Sequence, residues 1–166
     1  MEDDDIRRLL RADMEKILPK IVDAYTEMSI GQIELPAMLH IITSEQTNLA
    51  IALADFESDE GKYRSFEEAA DILVKEGRVP VILFLCAEAW QAADIMQKAS
   101  ESRERREVII VFGQTAIGDT LTARIPIIRN GDEILPGSVE YLNQVRSPLM
   151  TIFWESYFKK ANQSSS

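Results

Sequence analysis

The sequence contains one cysteine and one histidine among 166 residues, and these low counts exclude several classes of protein. A single cysteine cannot form an internal disulfide, and a structural zinc site needs about four Cys or His ligands. Cys86 lies in an apolar run, which predicts a buried, unreactive thiol and fits a reducing compartment. His40 lies between Leu39 and Ile41, and we expect a hydrogen-bonded or half-exposed strand residue there, not a catalytic base.

Glycine-rich catalytic and phosphate-binding motifs are also missing. The sequence has no Gly-x-Ser-x-Gly nucleophile elbow, no Gly-x-x-x-x-Gly-Lys and no Gly-x-Gly-x-x-Gly. Gly113 and Gly118 bracket a segment that leads into a predicted strand, so no helix N-terminus would face a phosphate there. We predict a hairpin loop at that segment and no bound cofactor.

Long hydrophobic runs are absent, because the longest covers about nine residues, half of what a membrane-spanning helix requires. Met1 is followed by Glu2 and three aspartates, not by a basic and then an apolar stretch. This pattern predicts no signal peptide. We therefore expect a soluble, cytoplasmic protein that makes no membrane contact.

Basic residues are outnumbered, 18 against 28 acidic ones, which gives a net charge of −10. Such a field repels a phosphate backbone unless a local basic patch overrides it. The densest basic segment, residues 103–106, is interrupted by Glu104. We therefore do not expect nucleic-acid binding, and an acidic surface that binds a basic partner remains one alternative.

The most informative segment that is present covers residues 79–87, an unbroken apolar run between Gly77 and Glu88. A run this short predicts a strand buried on both faces. It therefore marks the middle of a sheet that has helices on at least one face.

Periodicity, capping residues and turn signals predict the other elements. The predicted helices cover residues 3–27, 65–76, 88–101, 138–145 and 147–158, and the predicted strands cover 37–43, 48–56, 79–87, 107–114, 120–129 and 132–135. Pro19 predicts a kink or break in the first helix. Ser65 and Glu68 form a capping box, and Asn130 with Gly131 predicts a tight hairpin turn.

Two features of the strands carry packing predictions. One face of strand 48–56 carries Ala50, Ala52 and Ala54, and these small residues predict that a helix packs closely over them. Pro126 cannot donate a ladder hydrogen bond, so strand 120–129 is expected to lie partly at an edge or to bulge.

The element order α-ββ-α-β-α-βββ-αα predicts an α+β fold. We expect a predominantly antiparallel or mixed sheet of about five to six strands with helices packed on it. Residues 1–161 are predicted to form a single globular domain, with residues 162–166 as a disordered tail.

Two carboxylates are the best candidates for a catalytic site. Glu88 ends the predicted buried strand, where desolvation would raise the pKa of its carboxyl group. Asp119 lies in a turn that would approach Glu88 if strands 79–87 and 107–114 are neighbours, and such a pair could bind magnesium or transfer protons. Asp94 points to a different helical face. Capping of the following helix explains Glu88 as simply, so no catalytic residue is assigned.

Residues 55–61 resemble the start of a calcium-binding loop, with oxygen ligands at alternate positions. Glu60 stands where the EF-hand requires glycine, and Phe66 stands where it requires a bidentate glutamate. We therefore expect a solvated loop and no bound metal.

These observations favour a non-enzymatic cytoplasmic interaction or regulatory module that forms a homodimer and has an unknown protein partner. The apolar stripe of helix 3–27 is long, and we expect part of it to be uncovered by its own sheet and buried by a second copy. The aromatic C-terminal helix, which carries Trp154, is the other candidate interface. The alternatives are a carboxylate-based enzyme around Glu88 and Asp119, and an acidic protein that binds a basic partner.

Overall fold

The chain forms three helices and seven strands in a computed structural model that describes residues 2–30, 37–53, 58–91, 106–130, 133–142 and 147–164. In chain order these are α1 (Asp3–Ile30), β1 (Met38–Thr43), β2 (Asn48–Ala52), α2 (Asp59–Lys75), β3 (Pro80–Gln91), β4 (Arg106–Thr115), β5 (Thr120–Asn130), β6 (Glu133–Pro136), β7 (Glu140–Leu142) and α3 (Pro148–Ser164). The pairings between these strands are antiparallel. The predicted α+β class is confirmed, with seven strands instead of five to six.

The strands form one sheet in the order β2-β1-β3-β4-β5-β6, and β7 pairs with β5 next to β6. β3 and β4 form the longest ladder, from Ile82 opposite Thr115 to Gln91 opposite Arg106. In the described part of the chain, β2 is one edge of the sheet, and β6 and β7 share the other.

Helices cover both faces of the sheet, because the side chains of a strand alternate between faces. On the first face α1 packs against alternate residues of β3, β4 and β5, including Phe84, Val111 and Ala123. On the second face α2 and α3 pack against the intervening residues of β1 and β3, including Leu83. The central strand is therefore buried on both faces, as its apolar run predicts.

The apolar stripe of α1 is buried against its own sheet. Leu10, Met14, Ile17 and Ile21 are all buried, and the helix is continuous through Pro19. The predicted break is therefore wrong, and α1 does not offer the long uncovered stripe from which dimerisation through this helix was expected. The homodimer itself stays a prediction.

Two polar contacts fix α1 towards the β5 side of the sheet. Arg7 donates from Nε to Oδ2 of Asp119 over 2.9 Å, and the Arg11 guanidinium lies 4.4 Å from the ring centroid of Tyr141 in β7. α1 lies over β3, β4 and β5, where its buried side chains join the apolar cluster, and it leaves β1 and β2 less covered on this face.

The helix predicted at 88–101 does not begin where expected, because β3 continues to Gln91. Ala89 and Trp90 pair with Val108 and Glu107 of β4, so the ladder outweighs the helix propensity of the alanines. The remainder of the predicted helix lies outside the described residues.

α2 begins earlier than the capping box indicates. Ser58 is its N-cap, and its Oγ accepts a hydrogen bond from the Gly61 amide over 3.0 Å. Ser65 lies inside the helix and donates from Oγ to the Gly61 carbonyl. The prediction that this helix starts at Ser65 is therefore wrong, because a second serine with two acidic residues after it supplies an equally good helix start.

The chain after β5 also differs in part from prediction. Residues 140–142 form β7 where a helix was expected, since Tyr141 pairs with Ala123 of β5. α3 extends to Ser164, past residue 161. Strands β5 and β6 pair Asn130 with Glu133, and the predicted turn residue Gly131 lies outside the described part of the chain.

The edge position predicted for Pro126 is confirmed locally. β7 pairs with residues 122–124 of β5 and β6 pairs with 127–130, so Pro126 lies between them. Its carbonyl accepts from the Gly137 amide over 2.7 Å. The backbone N and O of a strand residue point to the same side of the strand. The Pro126 carbonyl points to Gly137, between β6 and β7, so the missing N–H group of Pro126 faces this gap and interrupts no ladder.

Candidate functional site

The structure does not bring the two candidate carboxylates together. Glu88 pairs with Ile109, six residues along β3 from Ile82, whereas Asp119 lies beyond Thr115 at the other end of the ladder. At about 3.3 Å per strand residue, their backbones are about 20 Å apart. Glu88 also does not end its strand. Asp94 lies outside the described residues.

Asp119 has a structural role in the loop between β4 and β5. Its carboxylate pairs with Arg7, and its amide donates to Oγ1 of Thr115. The hydrogen bond and charge of Asp119 also raise the pKa of Arg7. These contacts attach the first turns of α1 to the end of the sheet and leave Asp119 half-exposed in an ion pair.

The segment resembling a calcium loop is partly helical. Asp59 and Glu60 lie in the first turn of α2, where negative charge is favoured, and residues 55–57 lie outside the described part. Within the described residues no group of three His, Cys, Asp or Glu side chains is placed to hold a metal ion.

His40 lies on β1, on the face that carries α1, between Ala50 of β2 and Phe84 of β3. It is partly buried, as expected, but its Nδ1 is buried with no hydrogen-bond partner in the described structure. Burial, followed by the positive charge of Lys20, lowers the pKa of His40. His40 is therefore neutral near pH 7.

The β2 edge is the clearest candidate for an interaction surface. The Leu53 amide donates to the Ala37 carbonyl, and the Thr43 amide donates to the Thr47 carbonyl. The odd-numbered residues of β2 therefore bond to β1, and alternation directs the backbone groups of the even-numbered residues to the open side. In the described part of the chain these outward groups have no strand partner; they belong to Asn48, Ala50 and Ala52.

The side chains of β2 carry no device that protects an edge. Natural edge strands are usually blunted by Lys, Pro, a bulge or a covering element, and β2 contains neither charge nor proline. Ala50 and Ala52 are exposed, so the prediction that a helix packs closely over the alanine face is wrong. Leu49 and Ile51 are half-buried on the opposite face, next to α2 and α3.

A groove of about 240 Å³ lies beside this edge, between α1 and strands β1 and β2. Its floor is apolar and is formed by Leu9, Ile17, Ile42 and Phe84. Its rim is polar and is formed by Asp13, Lys16 and Lys20 of α1 and by Gln46 and Asn48 near the β1–β2 turn. The groove lies on the part of the sheet that α1 leaves less covered.

The opposite edge of the sheet carries a smaller apolar surface. Ile128 and Leu135 are direct cross-strand partners, and they are 50% and 47% exposed. β6 has only four residues and ends at Pro136, which shortens and blunts this edge.

The aromatic residues of α3 mainly complete the core. Phe153, Trp154 and Tyr157 are buried, and Tyr157 donates its hydroxyl to the Arg78 carbonyl. Phe158 is half-exposed and stacks on Trp154. Three of these four aromatics therefore belong to the core, and Phe158 is the one that reaches the surface of this candidate interface helix.

Comparisons with protein-family models, with curated proteins and with solved structures found no match to this chain. None of the helices in the described residues is both long and apolar enough to cross a membrane. The argument for function therefore depends on the surfaces described above.

Sequence reasoning missed both the edge and the groove. A signal for the edge was present, because residues 48–52 lack charge and proline although they were predicted to be a strand. The groove depends on where α1 lies across the sheet, and no local pattern encodes that position.

Proposed function

We propose that this chain is a non-enzymatic interaction module that forms a homodimer by antiparallel pairing of β2 with β2 of a second copy. The observation that carries the proposal is the open β2 edge, with its outward backbone groups at Asn48, Ala50 and Ala52. When such backbone groups are not bonded to water, a strand added by a partner is the usual source of their hydrogen bonds.

The sequence of β2 is self-complementary under a two-fold axis at Ala50. Antiparallel pairing then places Ala50 opposite Ala50 of the second copy and Leu49 opposite its Ile51. The two alanines exchange a reciprocal pair of hydrogen bonds, and Asn48 and Ala52 form two more pairs, giving about six bonds. The half-buried Leu49 and Ile51 would extend the core beside α2 and α3 across the interface.

Charge supports a second copy at this edge. Two chains of net charge −10 repel each other over most of their surfaces. β2 carries no charged residue, so this strand can approach its copy without placing like charges opposite each other.

The size of the interface predicts weak association. About six hydrogen bonds favour association, and the loss of translational and rotational freedom opposes it. Burial of Leu49 and Ile51 adds to the favourable side. We therefore expect a dissociation constant in the micromolar range, suited to regulation rather than to permanent assembly.

The decisive variant is Ala50→Pro, which removes the central outward N–H group and leaves the bonds to β1 intact. Light scattering from about 1 to 200 µM should give the wild type a mass rising from 18.8 kDa towards twice that value. Losing two bonds of about 1 kcal/mol each should weaken the variant's dimer about thirtyfold.

Leu135→Lys is the matched control at the other edge, and it should leave dimerisation unchanged. A wild type that stays at 18.8 kDa over this range would contradict the proposal. So would a dimer that Leu135→Lys disrupts and Ala50→Pro does not.

A cytoplasmic location belongs to the same proposal and is supported by the single cysteine of the sequence, Cys86, which is buried and cannot form an internal disulfide. The enzyme alternative loses its suggested pairing, since Glu88 and Asp119 lie at opposite ends of the β3–β4 ladder. Binding of a basic partner rests on the net charge alone.

A further inference from the structure

We propose that the groove between α1 and strands β1 and β2 binds a small organic anion, a monocarboxylate with a short apolar chain. This site adjoins the proposed dimer contact but uses different groups, because Asn48 gives its side chain to the groove on the face of the sheet and its backbone to the β2 edge.

The dimensions and floor of the groove fit a small apolar group. Sites for drug-sized ligands have volumes of about 300–1,000 Å³, so a groove of about 240 Å³ suits a smaller molecule. Phe84 is fully buried at its base, and Ile17 and Ile42 are nearly so. Leu9 is the partly exposed apolar residue of the groove, so an alkyl chain would lie mainly against Leu9, above these buried side chains.

The charge on the α1 wall favours an anion. Lys16 and Lys20 are four residues apart, so they project from the same side of the helix, with about 5–6 Å between their Cβ atoms. In the described part of the chain neither forms an ion pair or a hydrogen bond, and both line the groove. Two cations in one groove of a protein of net charge −10 form a local site for a carboxylate.

The opposite wall can complete the coordination of a carboxylate. Gln46 and Asn48 line it, and each side-chain amide has two N–H donors. Gln46 is held in the β1–β2 turn, where its backbone φ is 61° and its backbone N–H donates to the Thr43 carbonyl over 2.8 Å. The side-chain donors of Gln46 therefore extend from a backbone that the turn holds in place.

Asp13 favours an anion with one negative charge over an anion with two. Its carboxylate lines the same groove one turn before Lys16, so it repels a second negative charge more strongly than a single one. Burial raises the pKa of Asp13, and the charge of Lys16 opposes that shift. A singly charged carboxylate therefore fits better than a phosphate dianion.

Titration of ¹⁵N-labelled protein with hexanoate, followed by amide chemical shifts, tests the proposal. Hexanoate should bind with a Kd of about 1 mM, as expected for a ligand of eight non-hydrogen atoms. Shift changes should centre on α1 and on the β1–β2 turn. Hexylamine and inorganic phosphate at the same concentrations should bind at least about tenfold more weakly.

Variants on the groove wall make the test specific. Lys16→Ala combined with Lys20→Ala should weaken hexanoate binding about tenfold or more, and Asp13→Asn should strengthen it by about two- to threefold. Lys159→Ala, which removes an exposed lysine on α3, is the matched control and should have no effect. The lysines of the groove are exposed, so their loss should not unfold the chain.

Three results would overturn the inference. The first is no saturable hexanoate binding up to about 20 mM, twenty times the expected Kd. The second is equal affinity for hexanoate and hexylamine. The third is an unchanged Kd in the double lysine variant.

Discussion

Gly113 lies on β4 next to Leu10 of α1, and its replacement by alanine tests how α1 packs on the sheet. A Cβ atom there would lie 3.0 Å from Cε1 of Phe84, 3.1 Å from Cδ1 of Leu10 and 3.1 Å from the Leu121 carbonyl. All three distances are shorter than ordinary van der Waals contact. The backbone oxygen cannot move aside as a flexible side chain can, so α1 or β5 has to shift.

The size of the effect follows from two opposing terms. Overpacking a well-packed core costs about 1–3 kcal/mol, and replacing glycine by alanine in a strand recovers about 0.5–1 kcal/mol of backbone entropy. We therefore expect Gly113→Ala to lower the free energy of unfolding by about 1–2 kcal/mol. In urea this lowers the unfolding midpoint by about 0.5–1 M.

A double-mutant cycle with Leu10→Ala identifies the clash. Leu10→Ala alone should cost about 2–5 kcal/mol, because the side chain is buried. In that background Gly113→Ala should cost at least about 0.5 kcal/mol less, since one close contact is gone. A midpoint that does not fall in Gly113→Ala would refute this account of how α1 packs.

Two further predictions concern local features. Ser58→Ala should lower the free energy of unfolding by about 1 kcal/mol because it removes the N-cap bond to Gly61, whereas Ser65→Ala should change it by less than about 0.5 kcal/mol. Chemical denaturation of both variants checks this, and a larger loss in Ser65→Ala than in Ser58→Ala would support a helix start at Ser65. The lowered pKa of His40 means that the unfolded chain takes up a proton below about pH 6.5 while the folded chain does not, so stability falls as pH decreases from there. His40→Gln should reduce the loss of unfolding free energy between pH 7.5 and about pH 5.5, and an unchanged loss would show that His40 is not its source.

Local sequence patterns predicted the elements that are buried on both faces. The apolar run at 79–87 predicted the central strand because every residue in it is apolar, and the structure buries residues 80–86 of the run on both faces, whereas Val79 is exposed. The same rule could not locate the end of the strand. Beyond Ala87 the residues become helix-compatible, and only the ladder with β4 keeps them extended to Gln91.

The candidate site was harder to predict because it depends on tertiary arrangement. Asp119 was predicted to approach Glu88 if their two strands are neighbours. The strands are neighbours, but their antiparallel register places the two residues at opposite ends of the ladder. The alanines of β2 were expected under a helix, yet α1 packs on β3, β4 and β5 and leaves Ala50 and Ala52 exposed. Register and helix position are both set by partners distant in sequence.

Amide hydrogen exchange within β2, measured at about 5 and 500 µM protein, tests the proposed dimer most directly. Leu49 and Ile51 bond to β1 in either state, so their amides should be protected equally at both concentrations. The amides of Ala50 and Ala52 point to the open edge and should become protected only at the higher concentration, as the dimer forms. Exchange at Ala50 and Ala52 that stays fast at both concentrations, or protection that increases in β6 instead, would contradict the account.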